Sequence, residues 1–519
     1  MFNMMWALAS LLLVGPALAA IPNAMLRGMP SFPKPPVPRL HRSITSPNGT
    51  VLPPTSTVYY FDQLIDHNNP DLGTFQQRYW MNWEFYEPGG PIILMMPGEG
   101  NAEGAEIFIT NSTINGLIAQ KQNGAAIIIE HRFFGYSNPY DDLTSQSLAL
   151  LTIQQAIDDI EYFAKTADLP MPGGDAVKPG QAPWILVGGT YEGALTSWTM
   201  VNKPGLFWAG YASSAMVEAI TDYYGYFTPV YEYMPQNCSS DVEAVIAYLD
   251  GMYMANDIAG IQILKEAFGL GNVVHVDDFA SAIQSNLFDW EPMQPSSGPG
   301  AMFFQFCDAL EVKNGISAGP EGWGLENAIQ SWGNFWNTTY YNYICGSDDA
   351  ETCLGTYNTS QSYWSDVTVD NPDRVWLWMM CNQLGWYRVG PPEGQPAIVS
   401  HIIQPIYQGR QCVNMFPQAF TYPPEPATEE MNAKYAGWDV SVPRLFFVNG
   451  LRDPWREASV SADGLNKPNN PSMPIYEVDG IHTTDMFTDN NINPTVAAVQ
   501  EAALKYMKEW LAEWALSTS

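Results

Sequence analysis

Thr190, Asp453 and His482 are the residues of this 519-residue chain whose types and order suit acyl transfer. That chemistry needs a nucleophilic hydroxyl on a sharp, exposed turn, a histidine to take its proton, a carboxylate to orient the histidine, and two backbone N–H groups for the oxyanion. In one large class of hydrolases the three side chains follow in the order nucleophile, acid, histidine, with the nucleophile at a strand-to-helix corner. Thr190 follows "WILVGG" and opens a helix-like stretch, Asp453 in "LRDPWR" follows "RLFFVNG", and His482 in "DGIHTTD" follows "PIYEVDG". Singly, a histidine after a strand is usually structural and an aspartate before proline usually a turn residue. Jointly they favour chemistry, because the last of only six histidines occupies the slot that the order demands. The expected oxyanion donors are the Tyr191 N–H and an amide of Glu99 or Gly100 in "PGEGNAEG", where glycine lets backbone amides turn inward. Taken alone, that loop reads equally well as an ordinary flexible turn.

The elements that must position these residues are legible as apolar runs. "PIILMMPG" (91–98), "AAIIIEHR" (125–132), "WILVGG" (184–189), "RLFFVNG" (444–450) and "PIYEVDG" (474–480) are continuous, which suits parallel strands buried on both faces. Helical stretches alternate with them, at 147–167 and 495–515 among others, so the expected fold class is α/β. All three candidate residues then sit just past the carboxyl end of a strand, where ligands bind in open α/β sheets. From 217 to 438 the pattern becomes aromatic and helical, and all six cysteines fall there. This is read as a helical cap inserted into an α/β domain of residues 55–216 and 439–519. Residues 20–54 form a proline-rich lead-in or pro-segment. Residues 1–19 read as a signal peptide, with "ALA" before the expected cleavage, because their apolar run is too short for the roughly 20 residues that cross a bilayer.

Composition bounds the partners. With 46% hydrophobic and 13% aromatic residues the chain can bury a large core, in one or two packed units. Its 22 basic against 54 acidic side chains give a net charge of -32, which argues against nucleic acid or an anionic membrane as a partner and suits a secreted protein working in acid, extracellular or vacuolar. Sequons at Asn48, Asn111, Asn237, Asn337 and Asn358 and an even count of cysteines fit a secretory route. Six cysteines allow fifteen pairings, of which Cys345–Cys353 is the best local choice. No zinc-like spacing is present, and neither metal nor cofactor is expected.

"FDQLIDH", "TFQQRYWMN", "PGEG", "EHRFFGYSNP", "GGTYEGALTSW", "WLWMMCNQLGWY", "NGLRDPWR" and "GIHTTD" together resemble the prolyl carboxypeptidase and dipeptidyl-peptidase II family of serine peptidases, above all its secreted fungal members. The resemblance implies an α/β-hydrolase fold with a helical cap between nucleophile and acid, cleavage beside proline in peptide or protein substrates, no cofactor, and a triad at Thr190, Asp453 and His482. Three positions depart from the family. Thr190 stands where serine is usual, Glu192 where a small residue is usual, and Gln383 where glutamate is common. A β-branched residue in a strained corner slows attack without abolishing it, since a threonine hydroxyl can still be activated by a base. Glu192 either opposes a developing oxyanion or lies solvated on the first turn of a helix, favourable to its dipole. Trp376, Trp378, Trp386 and Tyr387 either line a pocket for a proline ring or belong to the core. The expected function is a serine-type peptidase using Thr190, with His482 as base then acid and Asp453 orienting it. The alternative is a silent pseudoenzyme that binds peptides or a protein; an esterase or lipase shares only the triad order.

Overall fold

The five apolar runs become strands, and less obvious segments join them. The computed structural model describes residues 44–518 apart from 396, 466 and 469, so the expected signal peptide and the first part of the lead-in lie outside the described residues. In chain order the strands are β1 (Tyr59–Leu64), β2 (Thr74–Asn82), β3 (Ile92–Met95), β4 (Ala125–Ile129), β5 (Trp184–Gly189), β6 (Ala209–Ser213), β7 (Ile220–Asp222), β8 (Val312–Lys313), β9 (Ile316–Ser317), β10 (Gly385–Tyr387), β11 (Leu445–Gly450) and β12 (Ile475–Val478). Eight of them form one sheet in the order β1-β2-β4-β3-β5-β6-β11-β12. The pairs β1–β2 and β2–β4 are antiparallel and the remaining pairs parallel. This is an α/β-hydrolase sheet, with Thr190, Asp453 and His482 beyond its fifth, seventh and eighth strands.

The strands without an apolar run have their own physical reasons. β2, "TFQQRYWMN", buries Gln77 and Arg78 along with its aromatics. β6, "AGYAS", turns the large Tyr211 to one face of the sheet and keeps the other small because the helix Thr190–Asn202 lies close against it: a Cβ on Gly210 would stand 2.3 Å from Met200 Sδ.

Between β6 and β11 the chain is mostly helical, including Gln236–Met254, Val276–Phe288 and Met302–Glu311, with the small β7–β10 and β8–β9 pairs. Three disulfides, Cys238–Cys307, Cys345–Cys353 and Cys381–Cys412, brace this cap. The cap is not a second core. One continuous apolar cluster holds Leu94 and Leu186 of the sheet, Tyr191 and Trp198 of the elbow helix, and Phe279, Trp376 and Trp386 of the cap. The opposite face of the sheet packs on Ile114–Gln122 and the long final helix Pro494–Thr518.

The motif "EHRFFGYSNP" is a buried polar hub at the end of β4. Glu130 accepts from Arg78 Nε (3.0 Å) and Nη2 (2.6 Å), from Ser137 Oγ (2.6 Å) and from the Ala102 amide (2.9 Å). Arg132 grips Asp159 on the helix Ile153–Thr166 through Nε (2.6 Å) and Nη2 (2.5 Å), and His67 Nε2 lies 2.8 Å from the same carboxylate. Burial works to raise the Asp159 carboxyl, but the Arg132 charge outweighs it and holds the group below its ordinary range. A depressed folded-state value means that this pair contributes above the unfolded carboxylate range and is lost only as pH falls through the lower folded value. Asp159→Asn, which leaves Arg132 buried and unpaired, is expected to cost about 3–5 kcal/mol. Denaturant unfolding at neutral pH checks this, and an unchanged midpoint would remove the pair's structural role.

Candidate active site

The corner after β5 forces its own conformation. Thr190 has φ of 58°, the left-handed region, and is fully buried. The turn closes because two neighbours lack a Cβ: one on Gly188 would stand 2.0 Å from Glu192 O, and one on Gly193 2.7 Å from Ser213 O. Tyr191 is fixed from the β4 hub. Its hydroxyl lies 3.0 Å from His131 Nε2, while His131 Nδ1 lies 2.8 Å from Arg132 O. Since a carbonyl can only accept, Nδ1 carries the proton and Nε2 accepts from the phenol. Burial keeps that imidazole neutral by pushing it down to about 4.

Asp453 and His482 are brought together as expected. His482 Nδ1 is 2.9 and 3.1 Å from the two Asp453 oxygens, with both side chains buried. The loop carrying the histidine is pinned to the sheet: Asp485 accepts from Tyr211 Oη (2.6 Å) and Ser213 Oγ (2.7 Å), and the Thr483 amide donates to Ser214 Oγ (2.9 Å). Burial works against a charged His482, but Asp453, then Glu291 and Glu99, outweigh it and push the imidazole up to about 9.

The Thr190 hydroxyl is not hydrogen-bonded to that imidazole. Its Oγ1 lies 3.1 Å from Glu99 Oε1 and 3.2 Å from Glu192 Oε2. His482 Nε2 instead faces Glu291 Oε1 of the cap at 4.0 Å, and the other oxygen of Glu291 accepts from Tyr226 Oη at 2.7 Å. Glu192 is 2% exposed, which overturns its reading as a solvated side chain: the first turn of its helix lies between sheet and cap, and the carboxylate folds back onto Oγ1. Burial pushes the Glu99 carboxyl up to about 8, against the pull of Thr190 and His482.

A chain with this sheet order and this histidine–aspartate pair matches the profile described as "Serine carboxypeptidase S28" over residues 63–502. The chain belongs to that family. S28 membership makes it a hydrolase of the serine-peptidase type. Among named relatives, the serine protease vicPa of Bipolaris victoriae (strain FI3) is 35% identical over 481 residues, covering 88% of this chain and 89% of its own. The serine protease vicPb of the same fungus is 33% identical over 502 residues, 92% of each chain. A probable extracellular serine carboxypeptidase of Arthroderma benhamiae is 29% identical over 473 residues, 84% of this chain and 64% of its own.

Within this S28 chain the four cap aromatics divide into two pairs. Trp376 packs edge-on against Tyr191 (5.9 Å) and stacks on Trp386 (5.8 Å), which in turn meets Trp455, two residues past Asp453 (5.9 Å). Trp378 instead packs on Phe416 and Phe420, and the Tyr387 hydroxyl lies 3.4 Å from Cys412 Sγ. Gln383 accepts from the Ile153 amide at 3.0 Å, tying the cap to a helix start in the α/β layer. Of the oxyanion candidates, Tyr191 lies in the first turn of the helix that Thr190 opens, where amides lack intrahelical acceptors, and the loop of Glu99 and Gly100 turns at Gly98 with φ of 113°. A cavity of about 470 Å³ lies beside the histidine loop, lined by Trp290, Gln294, Arg452, Gly480 and Ile481 among others.

Glu291 was invisible to sequence reasoning, because "DWEPMQ" carries no motif, and Glu99 was read only for its amide. NMR titration of His482 is expected to give a midpoint near 9 that falls toward the ordinary histidine range in Asp453→Asn. Because the folded value is raised, the Asp453–His482 contribution to stability is complete below the unfolded histidine value and fades as pH rises through about 9. A wild-type midpoint in the ordinary range, unmoved by Asp453→Asn, would contradict the coupling.

Proposed function

We propose that the protein is a secreted peptidase that hydrolyses proline-containing peptides through an acyl-enzyme on Thr190, with His482 and Asp453 as its proton-transfer pair. The observation that carries this reading is that a left-handed Thr190 corner and a hydrogen-bonded His482–Asp453 pair both stand at the carboxyl ends of parallel strands of one sheet. The net charge of -32 and the three cap disulfides support an acidic, oxidising location. Four of the five sequon asparagines are exposed and Asn237 is half-buried, which suits glycosylation during secretion.

Threonine at this corner is handicapped, not disqualified. A β-branched residue in the left-handed region is strained by about 1–3 kcal/mol. Carried into the transition state, that strain slows attack roughly 5- to 150-fold. A second reading, a silent relative that binds peptides, is favoured by one observation: the Thr190 hydroxyl contacts two carboxylates rather than the imidazole.

Hydrolysis of a chromogenic prolyl peptide at about pH 4–5 separates the two. The expected outcome is slow turnover by the wild type, none in Thr190→Ala, and a roughly 5- to 150-fold gain in Thr190→Ser. Turnover by the serine variant alone would establish the binding reading, and wild-type turnover retained in Thr190→Ala would remove Thr190 from the chemistry.

A further inference from the structure

The first part of the lead-in lies outside the described residues, but its sequence is distinctive in charge and in proline spacing. Residues 21–43 hold four of the chain's 22 basic side chains, Arg27, Lys34, Arg39 and Arg42, and none of its 54 acidic ones. Within them "PSFPKPPVP" places Pro30, Pro33 and Pro36 three residues apart, with a second such pair at Pro35 and Pro38. Three residues make one turn of a polyproline II helix, so each set falls on one edge of that helix. Proline runs with this spacing are recognised by grooves walled with aromatic rings.

A groove of that character lies where the described chain begins. Its volume is about 610 Å³, within the range of pockets that hold a ligand, and its lining includes Trp83, Tyr86, Pro170 and Pro172 together with Leu52 of the lead-in itself. Trp83 and Tyr86 belong to the turn between β2 and β3, and the two prolines to the segment between the helix Ile153–Thr166 and β5. The groove therefore sits at the amino ends of β3 and β5, the opposite end of the sheet from Thr190. Glu87, also in its lining, is exposed.

We propose that residues 30–38 seat in this groove of their own chain and clamp the amino end of the sheet. The described chain starts at the groove's wall: Ile44 O accepts from the Leu52 amide at 2.8 Å, Thr45 is bridged to Val51, and Ser46 is itself a lining residue. Ile44 lies six residues beyond Pro38, a reach of about 20 Å at full extension, which is enough for the run to turn back over the groove. A tether this short holds the run at a millimolar effective concentration, so contacts too weak to retain a free peptide suffice. Charge acts in the same direction. A segment whose charged side chains are all basic is drawn to a body that carries all the acidic ones, and Lys34 stands among the prolines as Glu87 stands in the groove. Seated at the end of the sheet away from Thr190, the run covers no catalytic group and acts as a brace, not as an inhibitory plug.

The full chain, expressed by secretion with the photocrosslinker p-benzoylphenylalanine in place of Phe32, tests the seating without any need for turnover, so its result is independent of the peptidase reading. Light and heavy-isotope chains are mixed, irradiated and digested, and the products are mapped by mass spectrometry. Position 32 is expected to be joined to residues 83–88 or 170–172 of the same chain. Pro33→Ala with Pro36→Ala is expected to lower that yield about 5-fold or more and to lower the melting temperature, whereas Ser31→Ala, which keeps every proline, changes neither. Crosslinks to the cap or to the carboxyl ends of the strands would overturn the proposal, as would light-to-heavy products, which would make the groove a contact between two copies. It is equally overturned if no product forms within the chain, if the yield is indifferent to the two prolines, or if the secreted protein is found to begin after residue 43.

Discussion

A β-branched residue held in the left-handed region, Thr190 with φ of 58°, is the constraint around which the molecule is arranged. Such a conformation persists only where its surroundings over-determine it. Here they do so from several directions. Two glycines let the helix close against β5 and β6, Tyr191 is anchored to His131, and His131 belongs to the same short segment as Glu130 and Arg132, whose buried partners tie β4 to β2 and to the helix Ile153–Thr166. The polar hub and the strained corner are thus one device. Charged groups that would be costly to bury alone are paired, and their rigidity is spent on holding a hydroxyl at the edge of the sheet.

The electrostatics of the site follow from its enclosure. Glu99, Glu291 and Asp453 act on a single imidazole, and all are at most 8% exposed. Such a group of carboxyls cannot all be ionised in a low-dielectric space, so protons are retained: on His482 because Asp453 offsets the burial, and on Glu99 because burial prevails. The enclosure therefore stores protons beside the nucleophile, a different starting condition from an open triad in which the histidine rests neutral.

Much of this was legible in the sequence, and the remainder has identifiable causes. Strands buried on both faces announce themselves as apolar runs, so β3, β4, β5 and β11 were readable; β12 was read the same way, although it lies half-exposed at the sheet's edge, and with these strands came the three residues at their ends. β1, β2 and β6 were not, because β1 alternates at the edge of the sheet, β2 carries the polar run Gln76-Gln77-Arg78, and β6 has only the small Gly210 and Ala212 on the face toward a closely packed helix. Chain order carried Thr190, Asp453 and His482, since each lies a few residues from its strand. Glu291 reaches the imidazole from the middle of the cap, far in sequence from every motif, and contact across that separation leaves no local pattern.

The segment between β6 and β11 thus borders the proposed chemistry, through Glu291 at the imidazole. From Tyr191 an aromatic series runs through Trp376 and Trp386 of the cap to Trp455, then to Tyr223 and Tyr226, whose hydroxyl holds Glu291. Every ring touches the next, so a shift of the cap moves the carboxylate facing His482 together with the wall beside the nucleophile. Access to a hydroxyl that is fully buried requires some displacement of the layers around it, and Glu291 is a cap residue that such a displacement would carry away from the imidazole. Removing a carboxylate from Nε2 weakens the hold on its proton, which favours donation to a leaving amine. Under the proposed acyl-enzyme reading, opening for a peptide and priming the acid are one motion.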